Sequence, residues 1–312
     1  MPNFQNWKTD NYTFVGKAFD IAYANRLNKL LAVVGEVNTN SIDYELTGSG
    51  GYGELIPYNG ILNEGHLQRA FKTIITPEEF SLSIGVDYKL AKVDKMGQTR
   101  KVGTKLGDSA AMTVYLHLLR MFSNAFNTDG LHNGGDGKPW AASDHPNASK
   151  GSSGRRFIVD PDSGTYSNLI SSALSVSAIT TAQSMASRYV TPDGLPFLCE
   201  MDTLLVSPEL EATAQQICGE NSKLYPGQTS DVNTVSDMKY IVIGGGQDGF
   251  GPNAWAVCDR RIMKELVNIV YITRPKVLQS QLDNPLKDMY TAYVDFGVGW
   301  GDARQIIFST GA

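Results

Sequence analysis

Between Asp108 and Asn127 the chain reads DSAAMTVYLHLLRMFSNAFN, and no other stretch limits the fold so strongly. Thr113, His117, Arg120, Asn124 and Asn127 recur at helical spacing, which places them on one face of a helix. Ala111, Tyr115, Leu118, Leu119, Phe122 and Phe126 make a broad apolar face, and Met112, Leu116 and Met121 widen it. The pattern predicts a spine helix over residues 108–127, roughly 30 Å long, with Asp108 as its N-cap. A helix apolar around most of its circumference has to be covered on most sides, so sheet or further helices must lie along it.

The rest of the chain is long enough to supply that cover. At 312 residues it can bury a large core, in two domains or in one with long excursions. A hydrophobic share of 42% against 19% charged residues is that of a soluble globular protein, and 31 glycines imply many turns. No apolar run approaches a membrane span, and MPNFQNWKTDN has no basic segment leading into an apolar one. The protein is expected to start life in a cytoplasm. Cys199, Cys218 and Cys258 are odd in number and lack CxxC spacing, which argues against a disulfide framework and a structural zinc site. A net charge of −5 gives no general pull toward nucleic acid.

The segments on either side of the spine differ in character. FVGKAFDIAYANRLNKLLAVVG, residues 14–35, carries Phe19, Ala22, Tyr23, Leu27, Leu30 and Leu31 at helical spacing, with Gly35 available to end the helix. It reads either as a packing helix at a domain edge or as an exchanged arm. From Val37 to Thr76, Gly48, Gly50, Gly51, Gly53 and Gly60 punctuate short mixed runs, the pattern of two long strands and a glycine-rich turn. Such a ribbon has no face with which to close a core and must lie on another surface. Glu79 to Val86 alternates strictly and reads as a half-buried strand; DKMGQTRKVGTKLG then connects it to the spine.

After the spine, residues 128–156 are loop by composition. A second long helix is expected over Asn168–Tyr189 with Ser167 as cap, then an apolar strand over Phe197–Val206 and a short helix opened by Ser207-Pro208. Further strands are expected at MKYIVI, Leu266–Thr273, Lys276–Gln281, Thr291–Phe296 and Gln305–Ser309. The order of elements makes this an α+β chain.

Three constellations invite a chemical reading. His132, Asp136, Asp144 and His145 are metal-ligand types close in sequence, yet no HExxH-like spacing puts two of them on one rigid face, and turn-forming roles suit them better. A metal-dependent hydrolase built on this loop is the enzyme alternative. Gly244-Gly245-Gly246-Gln247-Asp248-Gly249 satisfies GxGxxG, but Phe250, Gly251 and Pro252 follow where a phosphate-binding helix would have to begin. Neither GxSxG nor a local cysteine signature occurs, and of the four histidines His66, His132 and His145 read as surface or loop residues and His117 as a hydrogen-bonded structural one. No catalytic residue, cofactor or metal is expected.

Two strings carry a family resemblance. Asp136-Gly137-Lys138-Pro139-Trp140 with Asp144-His145-Pro146-Asn147 resembles the DGKPLF…HPN loop of tailed-bacteriophage major capsid proteins, in the branch related to the phage Mu head protein. Thr203-Leu204-Leu205-Val206-Ser207-Pro208-Glu209-Leu210-Glu211-Ala212-Thr213-Ala214 is similar to the LLVPPALEATA signature of the same group, with Ser207 in place of its first proline. Phe80-Ser81-Leu82-Ser83 and Gly299-Trp300-Gly301-Asp302-Ala303-Arg304 stand where that family has similar residues, so the likeness runs from about Gly53 to the C-terminus.

The resemblance implies a Hong Kong 97-type capsid fold. Its parts map to an N-terminal arm (1–36), an extended β-ribbon loop (37–77), a peripheral domain with the spine helix and second long helix (78–190), a mainly axial domain (191–272) and return strands (273–312). It implies a virion structural protein that assembles with itself, as hexamers and pentamers, into an icosahedral head around packaged double-stranded DNA held by non-specific proximity. Assembly in the host cytoplasm, contact with a portal, with scaffold or decoration proteins, and no membrane partner go with it. Tyr52, Leu55, Tyr58, Leu67, Arg69 and Phe71 of the ribbon are the expected assembly contacts. A cellular nanocompartment shell of the same fold is the alternative. No Lys and Asn pair for covalent crosslinking is identified, no scaffold-like coiled segment precedes the arm, and loss of a long propeptide is not expected.

Overall fold

The computed structural model describes residues 4–27, 30–49, 58, 60, 69–87, 97–129, 132–146, 164–191, 196–218, 233–244, 248–281 and 287–311. The first half comprises α1 (Phe4–Leu27), a 3-10 turn at Leu30–Ala32, β1 (Gly35–Asn38), β2 (Tyr44–Ser49), β3 (Arg69–Ile75), β4 (Glu78–Asp87) and the spine, α2 (Gly97–Ser123). The spine therefore starts well before the expected 108–127. Asp108 lies inside it instead of capping it, and its end tightens into a 3-10 turn at Asn124–Phe126. The early turns are helical because Leu106 is fully buried while Lys101 and Lys105 stay exposed, which continues the amphipathic pattern toward the N-terminus.

Gly103 and Gly107 do not break that helix. A Cβ on Gly103 would stand 2.6 Å from the Val15 carbonyl oxygen, and one on Gly107 2.5 Å from that of Phe19. The two glycines let the backbone of α1 lie directly on α2, with Val15, Phe19 and Ala22 buried between them. Within the chain the N-terminal segment packs as a helix along the spine. It is also longer than expected and ends at Leu27. Gly35 opens β1 instead, where a side chain would run into the Lys264 carbonyl.

The second half comprises β5 (His145–Pro146), β6 (Thr165–Tyr166), β7 (Leu169–Ile170), α3 (Val176–Ala186), β8 (Thr203–Val206), a 3-10 turn at Pro208–Leu210, α4 (Glu211–Cys218), β9 (Lys239–Val242), β10 (Trp255–Cys258), α5 (Arg260–Leu266), β11 (Val267–Gln281), β12 (Lys287–Trp300) and β13 (Ile306–Ser309). The helix expected over 168–189 is shorter because Asn168 is spent elsewhere: its side chain donates to the carbonyls of Trp140 and Ala303 and accepts from the Ala142 amide. Ser175 is the cap, its hydroxyl accepting from the Ala178 amide at 3.1 Å. The strand expected from Phe197 begins only at Thr203, whereas the two strands expected at 266–281 are one, irregular around Arg274 and Pro275.

Among the described residues the strands form a four-stranded sheet, β1-β11-β12-β4, a five-stranded sheet, β7-β13-β10-β8-β9, and two small pairs. In the first, β1 runs parallel to β11 and the other neighbours are antiparallel. One core joins Leu118, Leu119 and Phe122 of α2 to Val294 and Phe296 of β12 and to Leu205, Ala256 and Phe308 of the five-stranded sheet. On that sheet's other face, Ile179 and Ala182 of α3 and Ala214 and Ile217 of α4 pack on Leu204, Val206 and Trp255. With both faces covered, TLLV and WAVC are buried at every position, and their sequences accordingly run apolar without alternating. The spine is covered as its pattern required, apart from Met112, which is exposed.

Candidate assembly site

β2 and β3 form a two-stranded antiparallel ribbon, paired from Tyr44 opposite Ile75 to Ser49 opposite Arg69. Lys72 pairs with Glu45 across it, and Thr76 Oγ1 donates to Asp43 Oδ1 at 2.8 Å. A ribbon of this kind is marginal alone. Its support comes from the end of β12 and the residue after it, where the sequence is Gly297-Val298-Gly299-Trp300-Gly301. Val298 and Trp300 pack into the core, so the alternation of the strand turns the three glycines to the other side.

Leu46 and Ile75 of the ribbon fill the space those glycines leave. A Cβ on Gly297 would fall 2.8 Å from Ile75 Cγ2, one on Gly299 2.6 Å from Ile75 Cγ1, and one on Gly301 2.8 Å from Leu46 Cδ2. Leu46 and Ile75 are buried as a result. The expectation that residues 37–76 lack any core-forming face is thus corrected at the root of the ribbon.

The loop that carries the His132, Asp136, Asp144 and His145 cluster closes on the same root. Gly134 leaves room for the Trp300 indole, and Gly135 approaches the Lys72 backbone while its amide donates to Thr73 Oγ1 at 3.0 Å. His145 is fully buried, contrary to its reading as a surface residue. Its Nδ1 lies 2.6 Å from Asp136 Oδ2, its Nε2 faces the Trp140 carbonyl and Asn168 Oδ1, and its ring stacks on Tyr166. Asp144 turns away to Lys138, whose hydrogen bond lowers the Asp144 carboxyl below the usual range. Of the four residues the structure brings Asp136 and His145 together and leaves Asp144 and the exposed His132 apart. Among the described residues no group of three or more His, Cys, Asp and Glu side chains converges on one point.

Between the ribbon root, the loop and the spine lies a cavity of about 460 Å³. Phe80, His117, Asn133, Trp140, Phe296 and Trp300 are among its walls. His117 packs edge-on between Phe80, at 4.8 Å between ring centres, and Phe296, at 5.3 Å, a contact that replaces the hydrogen-bonded role read from its stripe. Burial, then the charge of Arg120, push its pKa down, while Glu78 pulls the other way. The imidazole is therefore held neutral at neutral pH.

Of the expected assembly contacts, Tyr52, Leu55 and Leu67 lie outside the described residues. Tyr58 is 74% exposed, while Arg69 and Phe71 stand on β3, Phe71 half-buried. Gly297, Gly299, Gly301, Leu46 and Ile75, which set the ribbon's root, were missed, although glycine at alternate positions of GVGWG is a readable signal for a close backbone approach. Elsewhere, residues 245–247 of the glycine motif lie outside the described residues, and among the described residues the next α-helix after Gly244 is α5. Cys199, Cys218 and Cys258 are free, and burial pushes the Cys199 and Cys218 thiols up to about 11. Among the described residues no helix is long and apolar enough to cross a membrane.

The family model described as phage capsid protein matches residues 70–307. No curated protein matches the chain. Among solved structures it is similar to the virus-like particle from Pyrococcus furiosus, with a TM-score of 0.53 at 8% identity over 96% of this chain and 98% of that one. The capsid of the Cyanophage P-SCSP1u gives 0.52 at 8% identity over 89% and 86%, and the capsid of Ralstonia phage GP4 gives 0.51 at 10% over 92% and 89%. At such identities these likenesses bear on the fold.

Proposed function

The chain belongs to the phage capsid protein family and has the Hong Kong 97-type fold, and from that premise we propose that its copies assemble as hexamers and pentamers into an icosahedral head shell enclosing packaged double-stranded DNA. The observation that supports the ribbon as the assembly element is its rooting. Leu46 and Ile75 fix its base on Gly297, Gly299 and Gly301, while the large apolar side chains of Ile42, Tyr58 and Ile74 point to solvent, Ile42 at 78% exposure. A ribbon fixed at its base, with these apolar side chains exposed, is suited to lie on a neighbouring copy. Heterologous contacts of that kind, repeated by rotation, close into rings and shells.

In this reading residues 1–36 are the arm, 37–77 the extended loop, 78–190 mainly the peripheral domain, 191–272 mainly the axial domain and 273–312 the return strands. α3 belongs with the axial side, since it packs on the five-stranded sheet. In this reading the chain is a structural protein and not an enzyme, and the Asp136 and Lys138 side chains serve the loop by engaging His145 and Asp144. A net charge of −5 suits a wall along which DNA slides, because phosphate meets few fixed cations. A portal, and scaffold or decoration proteins, complete the particle, which is built in the host cytoplasm.

Electron microscopy of the purified protein tests this reading. Uniform closed particles or capsomer rings are expected, and particles recovered from an infected culture should contain double-stranded DNA. Particles filled with a single cargo protein and no DNA would favour a nanocompartment shell; monodisperse monomers at all concentrations would sink both.

A further inference from the structure

His117 stands where the spine meets β4 and β12. Its ring lies 4.8 Å from that of Phe80 on β4, at an interplanar angle of 62°, and 5.3 Å from that of Phe296 on β12, at 83°. The two phenyl rings also meet each other, at 5.1 Å. Their sequence neighbours build the ribbon root. Phe296 precedes Gly297, where a Cβ would stand 2.8 Å from Ile75 Cγ2 and 3.2 Å from Pro77 Cα, and Pro77 leads directly into β4. A change in how His117 packs on Phe296 therefore reaches the seat of Ile75 through one peptide unit of β12.

The imidazole also borders the cavity of about 460 Å³. Among the described residues, the charged and titratable groups on the walls besides His117 are Arg120 of the spine, Glu78 of β4 and His132 of the loop, and the wall residues from β3 and β12 carry none. Asp295 and Glu79 alternate with Phe296 and Phe80 and so turn to the sheet's other face. A neutral imidazole packs on phenyl rings as a flat body, whereas an imidazolium held there gives up hydration that it regains only in open space or beside a carboxylate. The cavity supplies the space and Glu78 the carboxylate. We propose that His117 is a proton-operated latch at the ribbon root: neutral, it ties the spine to β4 and β12, and on gaining a proton it leaves the two phenyl rings for the cavity, toward Glu78, and loosens the seat of Ile75. Burial and the Arg120 charge lower the pKa of His117, and Glu78 opposes them. A base lowered in this way favours the latched state when neutral. The latch is therefore complete above the ordinary histidine pKa and is lost as pH falls through the lowered one.

The latch follows from the geometry of the root and not from the reading of the ribbon as an intersubunit element. It is accordingly tested on full-length subunits kept below the concentration at which they assemble. Proton NMR of the imidazole resonances, with His117 assigned by its loss in His117→Gln, should give a midpoint below the ordinary value of 6.5. Amide hydrogen exchange, divided by the chemical rate at each pH, should show residues 71–80 and 294–300 opening as pH falls below about 6.5, by up to roughly tenfold per pH unit until His117 is fully charged. Residues 203–206 of the five-stranded sheet should show no such rise. His117→Phe keeps a ring and cannot take a proton, so opening at the root should become independent of pH, and Glu78→Gln should move the rise to lower pH. Should the larger ring disturb the site, His117→Gln is the second uncharged variant and should also remove the pH dependence. A His117 midpoint at or above 6.5, or a rise that persists in both uncharged variants, overturns the latch.

Discussion

Ile75 lies so close to Gly299 that a single added methyl on the glycine would come within 2.6 Å of Ile75 Cγ1. The contact joins β3, one strand of the ribbon, to β12, whose other face builds the core under the spine. Gly299→Ala should therefore push Ile75 out of its seat and cost about 1–3 kcal/mol, the usual penalty for overpacking. Urea denaturation of unassembled subunits measures it. An unchanged midpoint would mean that the ribbon root is not packed as described.

The loop histidines should separate cleanly. His145→Ala removes one hydrogen-bond partner of the Asp136 side chain, which is itself 8% exposed and keeps the Lys138 amide on its other oxygen, and should cost about 1–3 kcal/mol. His132 is exposed, and His132→Ala should stay within about 0.5 kcal/mol of the parent. Equal effects of the two variants in chemical denaturation would contradict the burial of His145.

Asp295 gives a pH dependence with a definite sign. It stands directly opposite Glu79 across β12 and β4, is 7% exposed, and its Oδ1 has no hydrogen-bond partner. Burial first, and then the Glu79 charge, raise its pKa. An acid raised in the fold favours the folded state most when protonated, so this contribution is present below the unfolded carboxylate pKa and is lost as pH rises through the folded one. Asp295→Asn should accordingly melt above the parent near neutral pH, and the difference should shrink toward about pH 4. A difference that is constant with pH would show that Asp295 titrates normally.

Leu119 is fully buried between the spine and the sheets. Leu119→Asp loses that burial and places a carboxylate among apolar groups, for a cost of several kcal/mol. Insoluble protein is expected on expression, and a soluble variant that still assembles would show that the spine faces water.

The sequence carried the spine, the ribbon and the α+β order plainly, since each depends on local periodicity. It carried the boundaries less well, for reasons that are physical. Gly103 and Gly107 look like helix breakers until α1 is laid across them, and Asn168 looks like helix until its amide is seen bridging Trp140, Ala142 and Ala303. His145 reads as a loop residue because nothing local reveals that Asp136 and Asn168 will satisfy it inside the fold. Such long-range partners decide burial, and spacing along the chain does not report them.

That the ribbon acts between molecules more than within one is tested most directly by replacing residues 49–74 with a short Gly/Ser linker, which keeps Leu46 and Ile75 at the root. Closing the shorter loop changes the entropy of the chain only slowly with length. Differential scanning calorimetry and sedimentation velocity on the same preparation give the answer. The expected result is a cooperative transition close to that of unassembled parent subunits, with monomers or small rings and no shells. Closed particles from this variant would contradict the account, and a chain that no longer folds would place the ribbon in the subunit's own core.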